Sequence, residues 1–459
     1  MANGSVPRQN ATAALSHLFR MQFRLGMYDP VDTQPYLRIG LDAINSAPHQ
    51  QLALEAARQV TAIDFCRRRI RLVDFWSVSQ GITLLKNVGD FLPLDNKTIQ
   101  SLASVGPTKD GQDCQGDYGG RAPFLIGMTD GLKRWIANVN EATGCSIAGN
   151  DSSGIAQAVT AAASSNVTLI FIGIDGSQEG ETKDRDFVHL PGQQEQMMRD
   201  VASAAVEAGG KAAVVVMGGG AVDLSSAKAN PNVSAIVWGG YPGQSGGVAL
   251  AEILFGAVSP SGRLTQTFYD SAWADSCSML SMDMRPSKDC PPGRSHRFLT
   301  SAPVYKFGGG LSYTRWQHQI ELDRRSVSRG DLQQDLVTFR HRPHLAPTAV
   351  RASVSVTNVG AVPAEWPVLL FARPPTAVAG VEGAPLQILA GFERTPLLQP
   401  GERAELAFQL SAHDLSYADG AGSRQVGAGA WELFVDEGRE ALGAAEPGVA
   451  SASLTVRDQ

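Results

Sequence analysis

The chain of 459 residues lacks the features of a membrane protein or a nucleic-acid-binding protein. No apolar run approaches the roughly 20 residues that a helix needs to cross a bilayer. A net charge of −6 argues against nucleic acid and against an acidic membrane surface as partners. The first residues, MANGSVP, are polar and contain no hydrophobic segment of a signal peptide. A chain of this length is able to bury a core, and we expect two or three domains.

Motifs for metals and phosphorylated cofactors are also missing. The five cysteines have no metal-site spacing such as C-x-x-C, and no histidine lies close by to complete a zinc site. The glycine runs at 218–220 and 239–240 fit neither the phosphate loop G-x-x-x-x-G-K-[ST] nor the dinucleotide motif G-x-G-x-x-G. We therefore expect no metal and no cofactor.

The cysteines leave two interpretations open. In an oxidising compartment, Cys277 with Cys290 and Cys114 with Cys145 are candidate disulfides. The alternative is that these four are ordinary buried thiols. Cys66 is set aside because it lies in a segment of anomalous sequence, described below.

The sequence is organised around residues 173–185, GIDGSQEGETKDR, which directly follow the apolar, β-branched run 167–172. Such a run predicts a buried strand, and open α/β sheets place their chemistry in the loops after such strands. Neighbouring carboxylates favour one another's protonated form, which suits a general acid near neutral pH. The alternative is a solvated acidic loop without function. The carboxylates of this loop are Asp175, Glu179, Glu181, Asp184 and Asp186.

Two amphipathic helices are predicted ahead of this region. Residues 11–28 carry apolar side chains at helical spacing, and this helix is expected to stop at Gly26. Residues 48–59 form the second helix. Because such short helices do not make a domain by themselves, we interpret residues 1–59 as remnant helices and a linker that follow another part.

Residues 60–80 differ in character from their surroundings, with four arginines within five positions and phenylalanine and tryptophan residues around them. Removing them joins AARQ to GITLLKN in a natural helix, turn and strand. The segment is a whole number of codons, begins with valine (GT) and ends with glutamine, which CAG encodes. We favour a retained intron, and the alternative is an ordinary insertion loop.

The middle of the chain alternates strands and helices. This order predicts an α/β domain, with a mostly parallel sheet between helices on both faces. The predicted strands are 99–105, 167–174, 211–217 and 233–238, and the predicted helices are 155–163, 193–208 and 247–255. A polar link without periodicity follows at 323–347, and period-two alternation over 348–459 predicts a small β-sandwich.

A rival motif occurs at 243–247, GQSGG, which matches the G-x-S-x-G nucleophile elbow of α/β-hydrolases. An elbow places its serine directly at the end of a strand, whereas residues 239–242 separate Ser245 from the predicted strand. No H-G-G-G motif precedes it. An esterase acting through Ser245 is therefore a lesser alternative to a glycine-rich turn.

An ordered series of motifs along the chain resembles the C-terminal half of glycoside hydrolase family 3 β-xylosidases. The series covers nearly the whole chain apart from 60–80, and includes HQQLALEAARQ, LLKN, EGETKDR, LPGQQ, WGGYPGQSGG, PSGRL, MDMRP, VYKFG and GLSYT. The resemblance implies an α/β sandwich domain over 81–322, the linker 323–347 and a fibronectin type III-like domain over 348–459. It also implies a carbohydrate partner, such as a xylo-oligosaccharide, and an extracellular location.

The family consists of retaining enzymes, which need two carboxylates about 5 Å apart, one as nucleophile and one as acid/base. The resemblance implies that the acid/base is a glutamate of the 173–185 loop, with Glu179 as first choice and Glu181 as second. Thr182 stands where the family usually has glycine, which leaves the choice open. Asp184 and Arg185 are expected to orient the loop.

The resemblance also implies that the nucleophile is an aspartate on a (β/α)8 barrel that would precede everything here. We therefore expect the chain to carry the acid/base but to be inactive alone. The alternative is a non-catalytic remnant that acts as a binding module. Sequons that are consistent with a secreted glycoprotein occur at Asn3, Asn10, Asn96, Asn150, Asn166 and Asn232.

Overall fold

A computed structural model describes residues 7–58, 81–111, 115–116, 120, 122–378, 383–435 and 449–458. The anomalous segment 60–80, Cys66 and Cys114 lie outside these residues. The chain divides into two compact units, Met1–Leu52 and Ala53–Gln459. No helix in the described ranges is long and apolar enough to cross a membrane.

The first unit contains helix α1, Arg8–Arg24, and the start of helix α2, Ala47–Arg58. The predicted stop of α1 at Gly26 is confirmed. Gly26 has a φ of +67°, and the amide of Met27 donates to the carbonyl of Gln22 at 3.0 Å. This is the left-handed C-terminal cap for which glycine is favoured, since a Cβ is costly there.

The second unit begins with an α/β domain built on a six-stranded sheet. Its strand order is β1-β6-β5-β4-β2-β3, and all neighbours are parallel except β1, which is antiparallel to β6. The predicted mostly parallel sheet is thus confirmed. The strands are β1 Thr83–Asn87, β2 Leu102–Val105, β3 Val139–Ala142, β4 Val167–Gly173, β5 Lys211–Met217 and β6 Val233–Gly240.

Helices cover both faces of this sheet, and the central strands supply a core to each face. In β4, Leu169 and Phe171 belong to one core, whereas Ile170 and Ile172 belong to the other. This alternation explains why the strand is apolar at every position, since both of its faces are buried. The helices of the domain are α3 Met128–Leu132, α4 Ile155–Ala163, α5 Gln194–Glu207, α6 Ser225–Ala229, α7 Gly246–Leu254, α8 Ser271–Ser276 and α9 Ser295–Phe298.

A β-sandwich follows, with a five-stranded sheet, β11-β10-β15-β16-β8, and a three-stranded sheet, β12-β9-β7. Alternate side chains of the two sheets share one core around Trp431. The strands are β7 Trp316–Leu322, β8 Ser326–Ser328, β9 Val350–Asn358, β10 Pro367–Arg373, β11 Ile388–Arg394, β12 Arg403–Leu410, β13 Tyr417–Ala418, β14 Arg424–Gln425, β15 Gly429–Val435 and β16 Ser451–Arg457.

The boundary between the two domains differs from the expected linker over 323–347. Strand β7 pairs antiparallel with β9, so the sandwich begins before residue 323. The supposed linker contains β8, which pairs with β16, and helix α10, Arg329–Thr338. The three residues of β8 are too few to show a period, and α10 buries only Leu332 and Leu336, so neither element gave a clear periodicity.

One of the two candidate disulfides is present in the structure and the other is not. Cys277 and Cys290 form a disulfide, as predicted. Cys145 is a free thiol packed in the core near Met197, so its candidate pairing with Cys114 is wrong and the alternative of a buried thiol is confirmed for Cys145. Burial raises the pKa of Cys145 to about 11, and the charge of Asp151 adds to this, which keeps the thiol protonated near neutral pH.

Candidate active site

The acidic loop begins at Gly173, where the end of β4 is held by a buried glutamine. The Gly173 amide donates to Oε1 of Gln194 at 2.7 Å. Nε2 of Gln194 donates to the carbonyls of Gly173 and Ile147 at 2.8 and 2.7 Å. Gly173 has a φ of +137°, and a Cβ there would lie 1.8 Å from the carbonyl oxygen of Met217. Only glycine therefore allows this close approach of the two strand ends.

Asp175 is a structural residue of the loop. Its side chain is buried, and its Oδ1 accepts hydrogen bonds from the amide and hydroxyl of Ser177 at 2.9 and 2.5 Å. Its carbonyl accepts from the amides of Gln178 and Glu179 at 2.9 and 3.0 Å. This aspartate turn directs the chain back toward the sheet and places Glu179 beside the next strand ends.

Glu179 is clamped by three donors. The amide of Gly219 donates to Oε1 at 2.5 Å, the amide of Gly220 donates to Oε2 at 2.8 Å, and the hydroxyl of Tyr241 donates to Oε1 at 2.5 Å. A Cβ on Gly219 or Gly220 would lie 3.0 or 2.8 Å from these carboxylate oxygens. The two glycines therefore allow the carboxylate to reach the backbone amides.

The order of the strands explains why these groups meet. Strands β4, β5 and β6 are parallel neighbours, so the loops that follow them emerge at the same edge of the sheet. Gln266 holds the middle loop, since its Nε2 donates to the Gly219 carbonyl at 3.1 Å and its Oε1 accepts from the Ala221 amide at 3.2 Å.

Glu181 lies at the tip of a tight turn and is exposed to solvent. The turn is closed by the amide of Lys183, which donates to the carbonyl of Gly180 at 3.0 Å. Thr182 occupies its third position with a φ of +68°, the position of a type II turn that requires glycine or asparagine. The ammonium of Lys183 donates to the Gly176 carbonyl at 2.6 Å and fastens the turn to the start of the loop.

Arg185 follows this turn and is partly buried. One of its terminal nitrogens, Nη2, donates to the carbonyl of His189 at 3.2 Å, and its guanidinium lies 5.2 Å from the ring centre of Phe187. Burial lowers the pKa of Arg185, while the nearby charge of Glu179 acts in the opposite direction. Arg185 thus carries a positive charge near the clamped carboxylate, and Asp184 and Asp186 are exposed.

The structure therefore separates the predicted carboxylates into three groups. Asp175 is buried in a turn, Glu179 is clamped against the neighbouring loops, and the remaining three are exposed. Within the ranges that the structure describes, no group of three or more His, Cys, Asp or Glu side chains is arranged to hold a metal ion.

Ser245 does not have the geometry of a nucleophile elbow. It immediately precedes helix α7 with an unstrained φ of −106°, and its carbonyl accepts hydrogen bonds from the amides of Val248 and Ala249. Its side chain is buried, with 6% of the residue exposed. A nucleophile elbow instead presents its serine on a strained turn at the strand end. The glycines on either side serve packing, since a Cβ on Gly247 would lie 1.9 Å from the Gly127 carbonyl oxygen.

Comparison with known families and proteins identifies this region. The glycosyl hydrolase family 3 C-terminal domain matches residues 82–313, and the fibronectin type III-like domain matches residues 367–438. The chain belongs to glycoside hydrolase family 3. The resemblance drawn from the sequence motifs is therefore confirmed, as are an α/β domain and a fibronectin type III-like domain.

Individual family 3 relatives are β-xylosidases. The chain is 33% identical to a probable beta-D-xylosidase 6 of Arabidopsis thaliana, over 96% of this chain and 54% of the relative. It is 32% identical to the exo-1,4-beta-xylosidase xlnD of Emericella nidulans, over 95% and 51%. A solved family 3 exo-beta-xylosidase, XlnD, bound to a xylobiose aziridine activity-based probe, matches with a TM-score of 0.80 and 30% identity, over 99% and 54%. The chain spans about half the length of these relatives.

Several residues that build the site were not identified from the sequence. Gln194, Gly219, Gly220, Tyr241 and Gln266 position the loop or its carboxylate. The glycine run 218–220 was considered only as a phosphate loop. The position of this glycine run in the sequence does indicate its role. It directly follows the apolar run 211–217, which predicts a loop at the same sheet edge as residues 173–185.

Proposed function

We propose that this chain forms the C-terminal part of the active site of a retaining β-glycosidase that releases xylose units from β-1,4-xylosides. The family membership and the β-xylosidase names of the relatives support this substrate class. The carboxylate-bearing loop at the carboxyl edge of a parallel sheet supports a catalytic role for this domain.

We further propose that Glu181 is the acid/base and that Glu179 is a positioning residue, which reverses the order favoured from the sequence. The observation that carries this assignment is the clamp on Glu179. A general acid must place its carboxyl group at the glycosidic oxygen, whereas both carboxylate oxygens of Glu179 are already engaged by three donors of the neighbouring loops. Glu181 lies on the exposed tip of the turn, where a sugar bound against this edge is accessible to it.

The clamp also explains how Glu179 serves Glu181. It ties the 173–185 loop to the loops after β5 and β6, so the turn that carries Glu181 is held at both ends. A retaining mechanism needs a second carboxylate about 5 Å from the first. We propose that this nucleophile comes from the half of the relatives' length that the chain does not span.

The test is a chimera in which this chain replaces the matching half of the Emericella nidulans exo-1,4-beta-xylosidase xlnD. We expect hydrolysis of aryl β-xylosides by the chimera and only background hydrolysis by the isolated chain. In the chimera, Glu181→Gln is expected to lower kcat by about 10²–10⁴-fold on a xyloside with a poor leaving group. The loss is expected to be much smaller with a dinitrophenyl leaving group, which departs without protonation.

Two further variants separate the roles within the loop. Glu179→Gln is expected to lower activity by a similar factor on both leaving groups, because it loosens the loop without removing the acid. Asp184→Asn, an exposed carboxylate of the same loop, is the control and should change little. If the loss of activity depends on the leaving group in Glu179→Gln and not in Glu181→Gln, then Glu179 is the acid/base. Robust turnover by the isolated chain would contradict the proposal that the nucleophile lies elsewhere.

A further inference from the structure

A cleft of about 790 Å³ lies between the α/β domain and the β-sandwich. Its walls come from residues 265–269 and 295–297 of the α/β domain and from residues 388–392 and 413–424 of the sandwich, among others. We refer to it as the interdomain cleft. It is separate from the turn that carries Glu181, but Gln266 lines it and also holds the loop of Gly219.

Positive charge dominates the lining of the interdomain cleft. Arg297 and Arg424 both line it, and the one carboxylate among its lining residues is that of Asp414. This carboxylate accepts hydrogen bonds from the amide and hydroxyl of Ser411 at 2.7 and 2.8 Å, so it is engaged within its own turn. Arg424 donates to the hydroxyl of Ser416 at 2.7 Å and to the carbonyl of His413 at 3.4 Å, which are both neutral acceptors.

The guanidinium of Arg297 is poorly satisfied where it lies. Its Nε atom is buried and has no hydrogen-bond partner in the part of the chain that the structure describes. Burial lowers the pKa of Arg297, and the charges of Arg424 and Arg285 lower it further. A buried cation near like charges is costly unless an anion compensates it. The interdomain cleft therefore favours an anionic occupant.

Aromatic and neutral polar groups complete the lining. Phe392 retains 40% of its surface exposed, and Tyr269 also lines the cleft. Nε2 of His413 is buried without a hydrogen-bond partner among the described residues. An exposed aromatic face and an unused imidazole nitrogen suit a ring that presents both C–H groups and hydroxyls. A bare inorganic anion gains nothing from the aromatic side chain.

We propose that the interdomain cleft binds a carboxylate-bearing sugar, a hexuronic acid, with its carboxylate between Arg297 and Arg424 and its ring against Phe392. Arginine pairs with carboxylates through a planar fork of donors, which accounts for two arginines at an anion site. The choice of a sugar rests on the proposed function. In a glycosidase the cleft serves as a site for acidic substituents of the polysaccharide. Gln266 links the cleft to the candidate active site, because it lines the cleft and contacts Gly219, whose amide donates to Glu179.

The test measures binding by the full 459-residue chain with titration calorimetry, so it requires no hydrolysis. Sodium glucuronate is the probe, glucose is the neutral ring of the same shape, and sulfate is an anion without a ring. We expect glucuronate to bind at least about tenfold more tightly than either, because it alone satisfies the arginines and Phe392 together. Arg297→Gln and Phe392→Ala are each expected to raise its Kd about tenfold.

Two controls keep the outcome decisive. Arg424→Gln removes an exposed cation from the same cleft, and it should weaken glucuronate even if Arg297→Gln fails to fold. Arg199→Gln removes an exposed cation on α5, where it pairs with Glu195, and should leave the Kd unchanged. Equal binding of sulfate would overturn the sugar assignment, and glucuronate binding unaffected by both cleft arginines would overturn the site. Neither result depends on whether the chimera hydrolyses xylosides.

Discussion

At the scale of single residues, the backbone of the turn that carries Glu181 is under strain. Thr182 is β-branched and adopts a φ of +68°, a conformation that costs a residue other than glycine about 1–3 kcal/mol. The resemblance described from the sequence implies glycine at this position. The left-handed geometry supplies the physical reason, since the third position of a type II turn favours a residue without a Cβ.

We expect Thr182→Gly to raise the free energy of unfolding by about 1 kcal/mol, because the relieved strain exceeds the added entropy of the unfolded chain. Urea denaturation monitored by fluorescence measures this change. Thr160→Gly is the matched control, because Thr160 lies inside helix α4, where glycine should instead destabilise by about 1 kcal/mol. A destabilised Thr182→Gly variant would show that the turn is not strained.

A second residue-scale prediction concerns His296, which stacks on Phe307 with ring centres 4.2 Å apart. Burial lowers its pKa from 6.5 to about 4, and the charge of Arg297 adds to this. Because the folded-state pKa is depressed, the folded state binds fewer protons than the unfolded state between these values. The stability that this residue contributes is present above pH 6.5 and is lost as the pH falls toward 4.

We therefore expect His296→Phe to reduce the fall in unfolding free energy between pH 7 and pH 4.5 by about 2 kcal/mol. Urea denaturation at the two pH values gives the difference for each protein. His344→Phe, at an exposed position, is the control and should show the same pH dependence as the unmodified chain. An unchanged pH dependence in His296→Phe would mean that the imidazole is not excluded from water.

At the scale of elements, the three neighbouring loops after β4, β5 and β6 form the site because the sheet is parallel. The disulfide between Cys277 and Cys290 closes a loop, residues 278–289, in which most side chains are exposed. Leu280 and Met282 within this loop are 94% and 92% exposed. The disulfide and the hydrogen bonds from Arg294 to the carbonyls of Ser278 and Asp283 therefore hold this loop, rather than apolar packing.

We expect the double variant Cys277→Ser and Cys290→Ser to lose about 3 kcal/mol of stability, the cost of freeing a closed loop of this length. Limited proteolysis should then cut first within 278–289, and thermal denaturation should show the loss. Cys145→Ala is the control, because it removes a buried thiol without opening a loop. If the double variant resists the protease as the unmodified chain does, other contacts hold the loop.

At the scale of the whole molecule, the segment 60–80 is the feature whose origin matters most. It separates helix α2 from strand β1, and the match to the family 3 domain begins only at residue 82. On the side before the segment, Arg58 makes a bidentate ion pair with Glu252 of helix α7, with both distances at 2.6 Å. This ion pair attaches the end of α2 to the α/β domain.

We expect deletion of residues 60–80 to raise the yield of folded protein, because it joins the end of helix α2 to strand β1 in the helix, turn and strand that the sequence predicts. The measurement is the amount of monomeric chain recovered after expression, with the thermal midpoint as a check on folding. The control replaces the segment by a Gly/Ser linker of equal length, which separates the effect of its sequence from the effect of its length. Equal or poorer folding of the deletion variant would favour an ordinary insertion over a retained intron.

The sequence predicted the elements of the fold well where apolar runs were long. Strands 167–174 and 211–217 and helix 193–208 agree with the structure to within a residue at either end. Elements with short or mixed patterns were missed, including β3, β8, α10 and the short helices α3, α6, α8 and α9, and β7 was missed although WQHQIEL alternates with period two. The conformation of a short element such as β8 depends on a partner in another segment, here β16, and three residues carry no local pattern that reports it.

What the sequence determined by itself was the family, the α/β order and the loop on which the acidic residues lie, because these depend on local runs and ordered motifs. Only the tertiary structure decided which glutamate is clamped. The donors to Glu179 come from residues 40 to 62 positions further along the chain, and parallel pairing of three strands brings them together. The interdomain cleft likewise exists only after folding, because its cations come from two domains that meet across it.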